Sequence, residues 1–164
     1  MTSKGISNSL LHFAAKGKSL QVLQIILQLE VLEVNGVNED KDTPLHILSK
    51  HVPPSYDTEL LCSLLKHGAL PNSPNTVGAT PLHYCAATGK LSWCKLLLLQ
   101  DRVAINQQDI RGESPIHYAT RYVKSKVVTF LIEQSADVSV QGVEGSPLDI
   151  LLARRASKAA KLAV

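Results

Sequence analysis

Residues 78–90 read GATPLHYCAATGK: a glycine, a threonine-proline pair, a histidine and a cysteine just ahead of the leucine run at 96–99. A histidine and a cysteine two residues apart suit a metal site or a nucleophilic pair, unless the stretch recurs. It does recur. SLLH at 9–12, TPLH at 43–46, TPLH at 80–83, SPIH at 114–117 and SPLD at 146–149 follow at intervals of 34, 37, 34 and 32 residues. A unit of this period cannot bury its own apolar face and must stack on its neighbours, which marks a repeat array. The histidines recur because the fold recurs.

Outward from the tetrapeptide, each unit has the same layout. The Thr or Ser hydroxyl is placed to cap a helix, and in four units proline follows at the first helical position, where its missing N–H costs nothing. Small residues such as Ala14–Ala15 and Ala86–Ala87 permit close helix packing, and Gly17 and Gly89 end the first helix in units one and three. The stretches VLQIIL, LLCSLL, WCKLLLL and VVTFLI then place apolar residues at helical spacing, predicting a second, longer helix antiparallel to the first. Polar, turn-forming stretches (VNGVNEDKD, PNSPNTVGA, INQQDIRGE, VSVQGVEG) predict a projecting loop before the next Thr or Ser.

With two intact TPLH motifs, two close variants, HGA at 67–69 and SADV at 135–138, the chain resembles an ankyrin-repeat array from about Asn8 to Val164. The resemblance implies an all-α solenoid of antiparallel helix pairs with β-hairpin-like finger loops, forming one domain. Its repeats run at about 5–37, 38–74, 75–108 and 109–140, with a partial or capping fifth at 141–164. Departures are a Pro-Pro insertion in HVPPSYD at 51–57, Val123 where the fourth unit needs a glycine, and Asp149 in place of the fifth histidine. Gln21, Gln24 and Gln28 form a polar stripe read as an N-terminal cap, and the alanine- and lysine-rich end reads as a segment of a longer protein.

Composition narrows the function classes. The 164 residues are 45% hydrophobic and 19% charged, a globular composition, with no apolar run long enough to span a membrane and no secretory layout at the start. Three cysteines (Cys62, Cys85, Cys94) sit in apolar stretches without framework spacing, which fits reduced thiols in the cytoplasm or nucleus. Charge is uneven: 6 Lys and Arg face 7 Asp and Glu before His83, against 11 and 7 from His83 onward.

His12, His46, His83 and His117 read as hydrogen-bonding links between neighbouring loops, since one ring carries a donor and an acceptor. No second short-spaced Cys/His pair completes a zinc site, no third group orients a Cys/His nucleophile, and no phosphate-cradling glycine loop appears, so no metal, catalytic centre or cofactor is expected. Aromatics at 4% are too few to stack on single-stranded nucleic acid, leaving the C-terminal basic residues as a solvated face or a match for an acidic protein or an anionic membrane surface.

The resemblance implies a non-enzymatic, monomeric protein-interaction module that binds through finger tips and the concave face of the first helices. Transferred position by position, that face comprises Glu39, Asp40, Asp42, Lys50 and His51 in repeat two; Thr76, Val77, Ala79, Ala87 and Thr88 in repeat three; and Ile110, Arg111, Glu113, Arg121 and Tyr122 in repeat four. The alternative is a regulatory or targeting segment of a larger enzyme, such as a GTPase-activating protein or a kinase. Arg154, Arg155 and Ser157 form an Arg-Arg-x-Ser pattern resembling a basophilic-kinase site, with Ser157 expected near the start of the last helix.

Overall fold

The structure, a computed structural model, describes residues 4–17, 20–29, 33–51, 58–100 and 103–162, excepting the side chains of 4–9, 20 and 157–162. The HVPPSYD insertion lies almost wholly outside them. The helices are α1 (Lys4–Gly17), α2 (Leu20–Leu27), α3 (Pro44–His51), α4 (Glu59–Lys66), α5 (Pro81–Thr88), α6 (Leu91–Leu98), α7 (Pro115–Arg121), α8 (Ser125–Glu133) and α9 (Pro147–Leu162). First helices stack in a row, α1 on α3, α3 on α5, α5 on α7 and α7 on α9, while α2 packs on α4 and α6 on α8 behind them. A continuous core of Leu11, Leu23, Leu48, Leu64, Leu82, Trp93, Leu97, Ile116 and Leu131 threads between the rows. The described residues form an all-helical repeat solenoid.

Proline sets where the first helices begin. The residue before proline is kept out of the helical region, so Thr80 and Ser114 sit extended at the caps of α5 and α7. The first unit has Leu10 in that place, and α1 starts at Lys4 with Ser9 inside it, contrary to the expected Ser9 cap. In the last unit no glycine or proline interrupts 148–162, so α9 is one helix of 16 residues and Ser157 lies in its last third, not near its start.

The histidines tie successive loops together. The backbone N–H groups of Thr43, Thr80 and Ser114 donate to Nδ1 of His46, His83 and His117 at 3.1, 3.0 and 3.1 Å. A nitrogen facing an N–H must accept, so the ring proton is on Nε2. Those Nε2 groups donate to the carbonyls of Ala79, Glu113 and Val140, each at 3.1 Å, and His12 Nε2 meets Asp42 O at 2.7 Å. Burial pushes His46 and His83 down to about 4 and lowers His117, keeping the rings neutral. Asp149 performs only the local half of this work: its carboxylate accepts from the Ser146 N–H and hydroxyl at 2.8 and 2.7 Å.

Four helices end in one left-handed turn. The N–H groups of Gly68, Gly89, Val123 and Ser135 donate to the carbonyl three residues back, and the N–H of the residue after each reaches five back. Glycine takes this turn freely at Gly68 and Gly89 (φ 84° and 82°), whereas Val123 and Ser135 are held at φ 55° and 65°.

Two of the three glutamines expected to form an N-terminal cap face the next repeat instead. Gln24 and Gln28 line a crevice against Glu59, Cys62 and Lys66 of the next repeat, while Val22, Ile25 and Leu29 are exposed.

Candidate functional interface

Each finger is shaped by an Asn or Asp five residues before the capping Thr or Ser. Asn38 Oδ1 accepts from the N–H groups of Asp40 and Asp42 at 3.0 and 2.9 Å. Asn75 Oδ1 does the same for Val77 and Ala79 at 3.2 and 3.1 Å, and Asp109 Oδ1 for Arg111 and Glu113 at 2.9 Å each. These side-chain turns pin the finger base and throw the two tip residues outward: Glu39–Asp40, Thr76–Val77 and Ile110–Arg111, all exposed. Neighbouring fingers are joined by Thr76 N–H to Asp40 O at 2.9 Å and Ile110 N–H to Val77 O at 3.0 Å.

The same geometry turns the residue before the cap inward, so three expected binding residues, Asp42, Ala79 and Glu113, are not presented to solvent. Asp42 is buried, with Oδ1 accepting from Asn75 Nδ2 at 2.8 Å and Oδ2 paired to Lys50. Glu113 is fully buried and held by Arg121 through both carboxylate oxygens, with Arg111 at 3.2 Å. Arg121 also reaches Glu144 at 3.2 Å, and its Glu113 hydrogen bonds raise its pKa further. Lys50 and Arg121 are therefore spent on the fold, and Ala79 is buried beside them. Ala87 and Thr88 are half-buried, while His51 and Tyr122 are exposed at the ends of α3 and α7.

Between the fingers and the first helices runs a polar-aromatic ladder with no obvious trace in the tetrapeptide pattern. Tyr84 and Tyr118 meet edge to face at 6.2 Å; Asn75 Nδ2 donates to the Tyr84 hydroxyl at 2.9 Å, and the Tyr118 hydroxyl donates to Asp109 at 2.8 Å. Lys50 Nζ stands 4.3 Å above the Tyr84 ring. Behind them Lys90 is fully buried, its ammonium donating to Leu48 O at 2.8 Å and to Ser49 O, closing the end of α3. Burial pushes the Cys85 thiol up to about 11 and raises Cys94, so both are protonated and poorly nucleophilic at neutral pH.

All five positions expected from repeat two line one groove of about 790 Å³ between α1 and α3. Glu39 and Asp40 form one rim, Lys16 and His51 belong to the other, and Phe13, Val37 and Ile47 supply apolar floor and wall. Phe13 and Lys16 lie outside the residues expected from repeats two to four, although the repeat register aligns them with Ile47 and Lys50. Among the described residues no helix is long and apolar enough to cross a membrane.

Residues 52–142 match the family model for ankyrin repeats in three copies. Similar proteins include a probable serine/threonine-protein kinase of Dictyostelium discoideum, 33% identical over 135 residues covering 82% of this chain and 16% of the kinase. Human neurogenic locus notch homolog protein 4 is 33% identical over 96 residues, 58% of this chain and 5% of that protein. Ankyrin repeat domain-containing protein 37 of Xenopus tropicalis is 37% identical over 86 residues, 52% of each. The chain thus spans about half of one of these relatives and a small part of the others. With a capped helix pair and its histidine link repeated along its length, the chain belongs to the ankyrin-repeat family.

Proposed function

We propose that this protein is a non-enzymatic, monomeric module that docks a segment of another protein along its fingers and first helices, chiefly in the groove between α1 and α3. The carrying observation is that Glu39, Asp40, Lys16 and Phe13 are exposed around one groove while Asp42, Lys50, Glu113 and Arg121 of the same face are paired with one another. The fold needs none of those four exposed groups. A matching segment places an apolar side chain on Phe13, a basic residue at Glu39 and Asp40, and an acidic residue at Lys16. Tyr122, Ile110 and Arg111 extend the contact along the array. Three free cysteines support residence in the reducing cytoplasm or nucleus.

The test is affinity capture with quantitative mass spectrometry on three baits: the natural chain, Phe13→Ala with Glu39→Lys and Asp40→Lys, and Leu99→Ser on the opposite face. Proteins held by the first and third baits but lost from the second support the reading. An identical set on all three, with unchanged circular dichroism, contradicts it.

A further inference from the structure

Two rings on the first helices, Tyr84 and Tyr118, are each covered by a cation that is itself paired with an acid from a finger. Lys50 Nζ lies 4.3 Å above the Tyr84 ring and pairs with Asp42. The Arg121 guanidinium lies 5.9 Å from the centre of the Tyr118 ring and is held by Glu113 and, at 3.2 Å, by Glu144. Phe13 has the same position in α1, one residue after the repeat histidine, yet it is 69% exposed and no cation among the described residues covers it. Glu39 and Asp40 line the same groove, and among the described residues neither makes an ion pair; nor does Lys16, which aligns with Arg121. The opening lies within the array, with α1 on one side and α3 with its finger on the other. Residues 4–8, where each later repeat builds a finger, belong to the helix α1, which leaves Phe13 without a finger of its own.

We infer that the segment docked in this groove inserts an arginine, its guanidinium stacked on Phe13 and its N–H groups donating to Glu39 and Asp40. The inference rests on the docking role proposed above and names the side chain that the groove selects. Charge complementarity asks for a cation, because two unpaired carboxylates on exposed finger tips share a groove with an uncovered ring whose face attracts positive charge. Shape then favours arginine over lysine. A guanidinium is flat, so it lies on a ring while its fork of N–H groups reaches two carboxylates; an ammonium is a compact, strongly hydrated point charge. Repeat four contains the assembled version, in which Arg121 spans Glu113 and Glu144 beside Tyr118. At the groove the ring and the two acids are present, and the arginine is the partner's to supply. Lys16 on the opposite rim repels a second cation, which keeps the arginine on the finger side of Phe13.

The probe is a phage-displayed library of random linear peptides, panned on the full chain and depleted on the variant Phe13→Ala with Glu39→Lys and Asp40→Lys. Peptides held by the natural chain and lost from that variant should share an arginine. The strongest of them, synthesised with a fluorescein label, is then titrated by anisotropy. Replacing its arginine by lysine should weaken binding about 10-fold. Glu39→Gln with Asp40→Asn in the protein should weaken the arginine peptide by about as much and narrow its lead over the lysine peptide. Phe13→Leu should weaken it several-fold, and Phe13→Tyr, which keeps a ring, should not. If the depletion variant loses its circular dichroism, the amide variant takes its place. Groove-dependent peptides without a shared arginine, a lysine peptide bound as tightly as the arginine one, or binding indifferent to Phe13→Leu would overturn the inference and leave the docking role standing. No groove-dependent peptide at all would overturn both.

Discussion

Replacing Val123 by glycine should stabilise the protein, although it removes a side chain and adds a flexible residue. Val123 is held at φ 55° by the turn that closes α7, with its own N–H on Thr120 O at 3.1 Å and the Lys124 N–H on Ala119 O at 2.8 Å. A β-branched residue there is strained by about 2 kcal/mol, which glycine relieves. Two losses oppose this. Glycine costs about 0.7 kcal/mol of extra backbone entropy, and because Val123 is 60% exposed its remaining burial contributes only about 0.7 kcal/mol. The net gain is about 0.6 kcal/mol, or roughly 2 °C in melting temperature for a chain of this size. Gly89 occupies the same turn in α5 without strain, and a Cβ there would lie 2.9 Å from Lys124 Cδ, so Gly89→Val should cost about 2 kcal/mol. Urea denaturation of both variants, with Val123→Asn as a left-handed-tolerant residue that adds less backbone freedom, reads the difference. A lower midpoint for Val123→Gly at unchanged slope would refute the strain argument.

Three further outcomes are expected. Because His46 and His83 fall to about 4 in the fold from an ordinary 6.5, the unfolded chain takes up protons first; stability is full above about pH 7, declines below 6.5 and flattens below 4. At pH 5 the pair should have lost about 4 kcal/mol, seen as a lower urea midpoint than at pH 7.5, and a flat midpoint would count against neutral histidine links. Lys90→Met should cost about 2 kcal/mol in the same assay by leaving the Leu48 and Ser49 carbonyls without their donor, and a neutral result would mean that water replaces the ammonium. Arg121→Ala should cost about 2–3 kcal/mol because it strips the buried Glu113 of its main partner, and an unchanged melting temperature would show that Arg111 suffices.

The repeats and the linking role of the histidines could be read from the sequence because proline, the capping hydroxyl and the ring recur at fixed offsets and each acts locally. The face of the array was harder to read. Asp42 and Glu113 look like surface charges beside the finger tips, yet Asn38 and Asp109 fold the finger base so that both turn inward. The same Asn and Asp offset recurs at 38, 75 and 109 and was a usable signal. Gln24 and Gln28 show the limit of periodicity, since spacing defines a helical face but not the neighbour it meets. Lys90 follows a helix-ending glycine, and only the path of its long stem into the preceding repeat explains its burial.

The histidine links have a direction: His12, His46 and His83 each sit in one repeat and hold the loop of the repeat after it, and His117 holds Val140, the last residue before the fifth repeat. The array therefore has a grammar for lengthening. A unit inserted upstream of Asp149 must bring its own histidine, or the loop that follows hangs free. A chain cut after the second or third repeat keeps a ring whose N–H has lost its carbonyl. Removing units from the start instead leaves every remaining ring satisfied, so shortened versions of this protein should fold better when trimmed from the first repeat than from the last.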